Sequence, residues 1–167
     1  MSAERYPSPA EPGRRPLTIE DEIGQRRPFR TQRHRAMVNL LFTYGWLTER
    51  LRERMTEHGV TLQQYNVLRI LRGAAEPIST SVIRDRMLDR MSDTSRLVDR
   101  LEKKGLVHRC PCATDKRLVD VTLTERGADL LDRIDRTEND FLSLVSGLSE
   151  TQASELSNLL DRLRHPG

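Results

Sequence analysis

The sequence predicts a mainly helical chain with a small β-sheet of two or three strands. Apolar residues recur every three or four positions through most of the chain, which is the period of an amphipathic helix. One segment, 118–123, instead alternates apolar and polar residues, as a half-buried strand does. At 167 residues the chain is long enough for one domain with a core, and we predict a single domain over 30–167.

Long amphipathic helices are predicted on both sides of a smaller central module. One covers about 30–57, and the others cover about 125–164, with a first helix to about Ser146. Ser149 and Gln152 form a capping-box pattern that starts the last helix, whose inward side carries Leu156, Leu159, Leu160 and Leu163. These apolar faces are too long for the central module to cover, so we expect a homodimer joined through the terminal helices.

The central module, about 61–126, begins with a helix that Thr61 and Gln64 cap reciprocally. Two short helices follow in tandem, capped at Ser79 or Thr80 and at Ser92. The first of them is predicted to face inward with Val82, Ile83, Met87 and Leu88. The second, about 92–104, should bury Thr94, Leu97, Val98 and Leu101 and stop at Gly105.

A two-stranded ribbon is predicted after the tandem helices, from 106–110 and 118–123 with a polar tip between them. Two helices joined by a tight connection and followed by such a ribbon form the outline of a winged helix-turn-helix. A helix fits the major groove of B-DNA, and a ribbon with an arginine at its tip can enter the narrower minor groove. The order of elements therefore predicts a module that binds double-stranded DNA.

The second tandem helix carries the predicted major-groove residues. Short hydroxyl side chains permit close approach, and guanidinium groups suit guanine or phosphate. The candidates are Ser92, Thr94, Ser95, Arg96, Arg100 and Lys103. A solvated helix surface is the alternative, because Asp99 and Glu102 are near enough to offset these charges.

At the ribbon tip, Asp115, Lys116 and Arg117 place two cations beside a carboxylate. The carboxylate could hold the Arg117 guanidinium extended before DNA arrives, which makes Arg117 the minor-groove candidate. The alternative is a solvated hairpin turn, because exposed ion pairs contribute only about 0 to 1 kcal/mol.

Two segments of the sequence resemble the MarR family of transcriptional regulators. Residues 91–107, MSDTSRLVDRLEKKGLV, are similar to its recognition helix and following strand. Residues 115–117, DKR, and 119–127, VDVTLTERG, are similar to its wing. The resemblance covers roughly 30–164 and leaves out the N-terminal tail. It implies a homodimer on a pseudo-palindromic operator, usually a repressor that a small-molecule ligand or an oxidant releases.

Three other features leave alternatives open. Cys110 and Cys112 could sense oxidants or, with His108, bind a soft metal, but two inert thiols are the simpler interpretation. Phe42, Tyr44 and Trp46 could line an effector pocket or belong to the core. The segment 1–29, with five of the eight prolines and many arginines, is predicted to be a disordered tail, with a DNA-binding arm as the alternative.

Composition and motifs bear on the remaining function classes. The formal net charge is only +3, which is weak evidence for nucleic acid binding by itself. No apolar run is long enough for a membrane span, and with its reduced cysteines we expect a cytoplasmic protein. No catalytic triad, phosphate-binding loop or metal-ligand pattern is present, so we predict a non-enzyme without cofactor. A winged helix that binds only protein partners is the competing hypothesis.

Overall fold

The computed structural model describes residues 17–111, 119–136 and 141–165. Its elements are α1 (Ile19–Glu22), α2 (Gln32–Glu57), α3 (Leu62–Arg72), β1 (Ile78–Ser79), α4 (Thr80–Arg86), α5 (Thr94–Lys103), β2 (Val107–Pro111), β3 (Val119–Leu123), α6 (Glu125–Arg136), a 3-10 turn (Ser143–Val145) and α7 (Glu150–Arg164). The predicted mainly helical fold with a small β-sheet is confirmed. The described residues fall into two compact units that divide within α2, between Leu51 and Arg52. None of the described helices is long and apolar enough to cross a membrane.

The β-sheet is antiparallel, and β3 is its central strand, between β1 and β2. Val107 pairs with Leu123 and Pro111 with Val119, so β2 and β3 form the predicted ribbon. The third strand is the short β1, in which Ile78 pairs with Val121. Val121 is fully buried, as the alternation of apolar and polar residues along β3 predicts.

The core lies in the second unit, among α3, α4, α5, the sheet, α6 and the last residues of α2. Its largest fully buried side chains are Met55, Leu68, Ile83, Leu101, Leu131 and Ile134. The helices present these residues at the three- and four-residue spacings that predicted them. The capping box at the start of α3 is also confirmed, because the Thr61 hydroxyl accepts from Gln64 N–H and the Gln64 amide oxygen accepts from Thr61 N–H.

A tight junction connects the end of α5 to the start of α6. Gly105 adopts a left-handed conformation with φ +68°, which ends α5, and its carbonyl accepts the Thr124 hydroxyl proton at 2.8 Å. The same hydroxyl accepts from Gly127 N–H at 3.1 Å, while Thr124 N–H donates to the Leu106 carbonyl at 3.2 Å. These hydrogen bonds hold the start of β2 and the end of β3 together, next to the C-terminal end of α5.

Gly127 has no room for a side chain at this junction. A Cβ there would overlap the Leu106 carbonyl oxygen and lie 2.8 Å from Leu123 Cδ1. We expect Gly127→Ala to lower the free energy of unfolding by about 1–3 kcal/mol, because backbone must move to accept the methyl group. Urea denaturation followed by circular dichroism measures this loss.

Gly147→Ala is the matched control, since a Cβ at Gly147 meets nothing within 4 Å. Its unfolding free energy should stay within about 0.5 kcal/mol of wild type. Equal stability of the two variants would contradict the close packing of Gly127 against the Leu106 carbonyl oxygen.

Of the predicted disordered tail, 1–29, residues 1–16 lie outside the described residues, whereas part of 17–29 is helical. α1 is a short helix with a capping box, in which Thr18 N–H donates to the Asp21 carboxylate at 2.9 Å. Glu20 on α1 forms an ion pair with Arg35 on α2 at 2.6 Å. The hydrogen bonds from Arg35 lower the pKa of Glu20 to about 2. The prolines and arginines suggested disorder, whereas this local capping pattern at residues 18–21 was the overlooked signal.

Two predictions for the C-terminal helices need correction. The helix expected to run to about Ser146 is α6 only as far as Glu125–Arg136, and residues 137–140 lie outside the described residues. Ser143–Val145 form a 3-10 turn, where the Ser146 hydroxyl donates to the Ser143 carbonyl at 2.8 Å and competes with helical hydrogen bonding. The capping box of Ser149 and Gln152 is present, but α7 has no buried residue. Leu156, Leu159 and Leu163 are exposed within the single chain and Leu160 is half-buried, because periodicity predicts an apolar face without naming the surface that covers it.

Candidate nucleic-acid interface

α4 and α5 form the tandem helices of the predicted DNA-binding module. Ser79 caps α4 by accepting from Val82 N–H at 3.3 Å, and the helix ends before Met87, whose backbone is extended. Leu88 therefore lies beyond the helix and is 90% exposed, which contradicts its predicted inward position. Its N–H donates to Asn66 Oδ1 of α3 at 3.0 Å, which ties the connection to the core.

The start of α5 lies slightly later than predicted. Asp93 is the N-cap and accepts from Arg96 N–H at 3.1 Å, whereas the Ser92 hydroxyl donates to the Asp89 carboxylate at 3.0 Å. Asp89 also accepts from Met91 N–H at 3.0 Å. Ser92 is half-buried and belongs to the connection between α4 and α5. Its hydroxyl proton is already donated to Asp89.

Thr94 is the one predicted major-groove residue that the structure buries. It is 5% exposed, because it lies on the inward stripe of α5 with Val98 and Leu101. Thr94 and Val98 are four residues apart and Val98 and Leu101 are three apart, so all three lie on one face of the helix. Thr94 is corrected from a DNA contact to a core residue, in agreement with its predicted place on the buried stripe.

The remaining four candidates of α5 share its exposed side. They are Ser95, Arg96, Arg100 and Lys103. Arg96 is paired with the capping residue, with 3.1 Å between its Nε and Asp93 Oδ2, although 78% of its side chain is exposed. Within the described part of the chain, Arg100 and Lys103 form no ion pair. The spacing of 96, 100 and 103 aligns the three cations along one helix face.

Arg109 on β2 was not predicted as part of this site, yet it pairs with two acids of α5. Its guanidinium pairs with Asp99 and lies 3.5 Å from a Glu102 carboxylate oxygen, while its N–H donates to Glu102 at 3.3 Å. Arg109 is thus shared between the two carboxylates that could have offset the cationic face, and it compensates one of their two negative charges. The sequence pattern that could have predicted this pairing is two acids three residues apart on a helix, followed by a strand with one arginine.

The C-terminal end of α5 is anchored to the start of α3. Lys104 Nζ donates to the Gly59 carbonyl at 2.7 Å and to the Gln64 amide oxygen at 3.1 Å. Gln64 is only 2% exposed and also closes the capping box of α3. Lys104 is therefore a structural cation, distinct from the exposed Lys103.

The predicted wing contacts belong to the tip of the ribbon. Residues 112–118 lie outside the described residues, and with them lie the predicted wing contacts Asp115, Lys116 and Arg117 and also Cys112. The described strands on either side, Val107–Pro111 and Val119–Leu123, have the register of a hairpin. The wing contacts stay predictions.

Comparison with known proteins decides the family. The MarR family profile matches residues 58–118, which contain α3, α4, α5, β1 and β2. The transcriptional regulator PecS of Dickeya dadantii is 30% identical over 133 residues, spanning 76% of this chain and 79% of PecS. The chain belongs to the MarR family. The repressor IacR of Pseudomonas putida is 26% identical over 123 residues, 73% of either chain.

Solved structures agree with this assignment. A mutant MarR from E. coli, complexed with operator DNA, is 27% identical with a TM-score of 0.68, over 74% of this chain and 89% of that one. The predicted winged helix-turn-helix fold is thereby confirmed for this MarR-family regulator. The order α4, α5, β2 and β3 is that of the predicted winged helix-turn-helix.

Cys110 is the described half of the candidate redox pair in this regulator. It is a free, half-buried cysteine whose thiol lies 3.8 Å from the Asp120 carbonyl. The neighbouring Arg109 guanidinium is engaged by Asp99 and Glu102. Across 17–111, 119–136 and 141–165, no three histidine, cysteine or acidic side chains form a metal site. Redox sensing by Cys110 and Cys112 stays a prediction.

Proposed function

We propose that this MarR-family protein is a homodimeric, sequence-specific repressor that binds a pseudo-palindromic operator through α5 and the wing. The observation that carries the proposal is the charge distribution on α5. Its two central acids are bound by Arg109, while Arg100 and Lys103 are exposed without an ion-pair partner in the described residues. A helix with this face favours phosphate and guanine as partners.

The exposed side chains of α5 would make two kinds of DNA contact, to bases and to phosphates. Arg100 can donate two parallel hydrogen bonds to guanine O6 and N7, and Ser95 is short enough to allow close approach to base edges. Arg96 and Lys103, at the two ends of the face, would contact phosphates and fix the register of the helix in the groove. Arg117 at the wing would enter the minor groove, with Asp115 and Lys116 beside it.

A second copy of the chain is the proposed cover for the apolar terminal helices. α7 exposes Leu156, Leu159 and Leu163 at 45%, 59% and 65%. α2 exposes Leu40, Leu41 and Tyr44 at 39%, 64% and 67%. Apolar faces of this extent are unfavourable in water and typical of association surfaces. Dimerisation would also present two copies of α5, as a palindromic site requires.

The regulatory output is proposed from the relatives and the resemblance. IacR is named a repressor and PecS a regulator, which supports transcriptional control by this chain. A small-molecule effector or an oxidant would release the DNA, and the protein would act in the cytoplasm without a catalytic activity. Phe42, Tyr44 and Trp46 remain the sequence-based candidates for an effector site.

A footprinting experiment tests the proposal. The purified protein is offered DNA from upstream of its own gene, and hydroxyl-radical cleavage maps the protected backbone. We expect two protected half-sites separated by about one helical turn, related by two-fold symmetry. Arg117→Ala should weaken protection where the minor groove faces the protein. Absence of any sequence-specific protection would favour the alternative, a winged helix that binds protein partners.

Arg109 offers a separate prediction, as a positioning residue. Arg109→Leu would remove the one positive charge that Asp99 and Glu102 share, and we expect DNA affinity to fall roughly fivefold to tenfold, about 1 kcal/mol. Fluorescence anisotropy at constant salt measures the loss. Adding Asp99→Asn and Glu102→Gln to the same chain should restore affinity, because the unpaired charges are removed. A triple variant as weak as Arg109→Leu would mean that Arg109 contacts DNA itself.

A further inference from the structure

The connection between α4 and α5 holds the two most exposed large apolar side chains of the described residues. Leu88 is 90% exposed and Met91 is 93% exposed. Neither belongs to α2 or α7, whose exposed apolar faces the proposed dimer explains. Exposed apolar side chains are ordinary when isolated, but two at the entrance to a recognition helix occupy the place where a DNA-binding protein meets the bases.

This connection has a fixed backbone. Asp89 accepts hydrogen bonds from Met91 N–H and from the Ser92 hydroxyl, both at 3.0 Å, and Leu88 N–H donates to Asn66 of α3. Asp93, the next acid, caps α5. The carboxylates are therefore directed to the backbone and to Ser92, while the side chain of Met91 is presented to solvent from a defined position.

The charge around Met91 favours a polyanionic partner. Arg86 and Arg90 are exposed and have no ion-pair partner within the part of the chain that the structure describes. Arg96 and Arg100 extend the positive charge along α5. An exposed apolar side chain on a connection that also carries exposed arginines suits DNA, in which phosphates flank the groove and thymine is the one base that presents a methyl group there.

We infer that Met91 contacts the 5-methyl group of a thymine in each half-site and so determines part of the operator sequence. Met91 lies three residues before the first residue of α5, whereas Leu88 follows α4 and its N–H is bonded to α3. The unbranched thioether adapts to the position of a methyl group without a hydrogen bond. The inference rests on the proposed DNA-binding function and adds a specificity determinant to it.

The experiment compares thymine with uracil, which lacks only the methyl group. A duplex is selected from a random library by the wild-type protein, and each thymine is replaced singly by deoxyuridine. One symmetric pair of positions should reduce wild-type affinity, by about fourfold for each methyl group lost from the contact. Met91→Ala should bind the thymine and uracil duplexes equally, at the weaker affinity.

Leu88→Ala is the matched control, because it removes an equally exposed apolar side chain from the same connection. It should keep the wild-type preference for thymine. Three results would overturn the inference: no uracil penalty in wild type, a penalty that persists in Met91→Ala, or a penalty that disappears in Leu88→Ala. Failure of the wild type to select any sequence would overturn the proposed function as well, which separates the two failures.

Discussion

Replacing Leu159 and Leu163 with glutamate is expected to convert the protein to a monomer and to lower its operator affinity by roughly a hundredfold or more. Both side chains are exposed in the single chain, at 59% and 65%, so the fold does not depend on them. In a dimer they would be buried, and burying carboxylates without partners costs several kcal/mol per ion. Loss of the dimer leaves one copy of α5 to hold the DNA.

Light scattering after size exclusion measures the mass of this variant, and anisotropy measures its affinity for DNA. The matched control carries the same added charge elsewhere on α7, as Ser154→Glu with Asn158→Glu, where both wild-type residues are exposed polar residues. The control should stay dimeric. A dimeric Leu159→Glu, Leu163→Glu variant with unchanged DNA binding would exclude α7 from the subunit interface.

Arg100→Ala should produce the second large effect, a loss of operator affinity of about 2–6 kcal/mol. A guanine contact by one arginine contributes about 1–3 kcal/mol, and a symmetric dimer loses the contact in both half-sites. Arg100→Lys keeps the charge but cannot form the two parallel hydrogen bonds, so its affinity should fall between those of wild type and Arg100→Ala. Competition with scrambled duplexes shows whether the lost affinity is specific.

The control for Arg100 is Arg133→Ala, an exposed arginine on α6. Its affinity for the operator should stay close to that of wild type. Equal losses in Arg100→Ala and Arg133→Ala would mean that net charge alone governs binding and that α5 has no special role.

Local patterns predicted much of the fold because their causes are local. The capping boxes at Thr61 and Ser149 involve neighbours in sequence, and both are present. The alternation along β3 is met at its buried centre, Val121, whereas Val119 at the end of the strand is exposed. The family followed from longer motifs in fixed order, which the 30% identity with PecS supports. The order and type of the longer elements were therefore accessible from the sequence, whereas the short α1 and β1 were not predicted.

What the sequence did not predict depends on contacts between elements. The pairing of Arg109 with Asp99 and Glu102 joins a strand to a helix, and only the folded chain brings them together. Thr94 lies on the buried stripe of α5 that helical spacing predicted, and its short hydroxyl side chain alone had suggested a groove contact. The outward leucines of α7 show the same limit, since periodicity defines a face but not its partner.

The central claim is that two copies of α5 and the wing bind operator DNA through a defined set of phosphate contacts. Its most direct test is the affinity for the selected duplex, measured across a range of salt concentrations. With about four phosphates neutralised per subunit, the logarithm of affinity should fall by about 7 for each tenfold rise in salt. A slope near zero, or equal affinity for a scrambled duplex at every salt concentration, would contradict the claim.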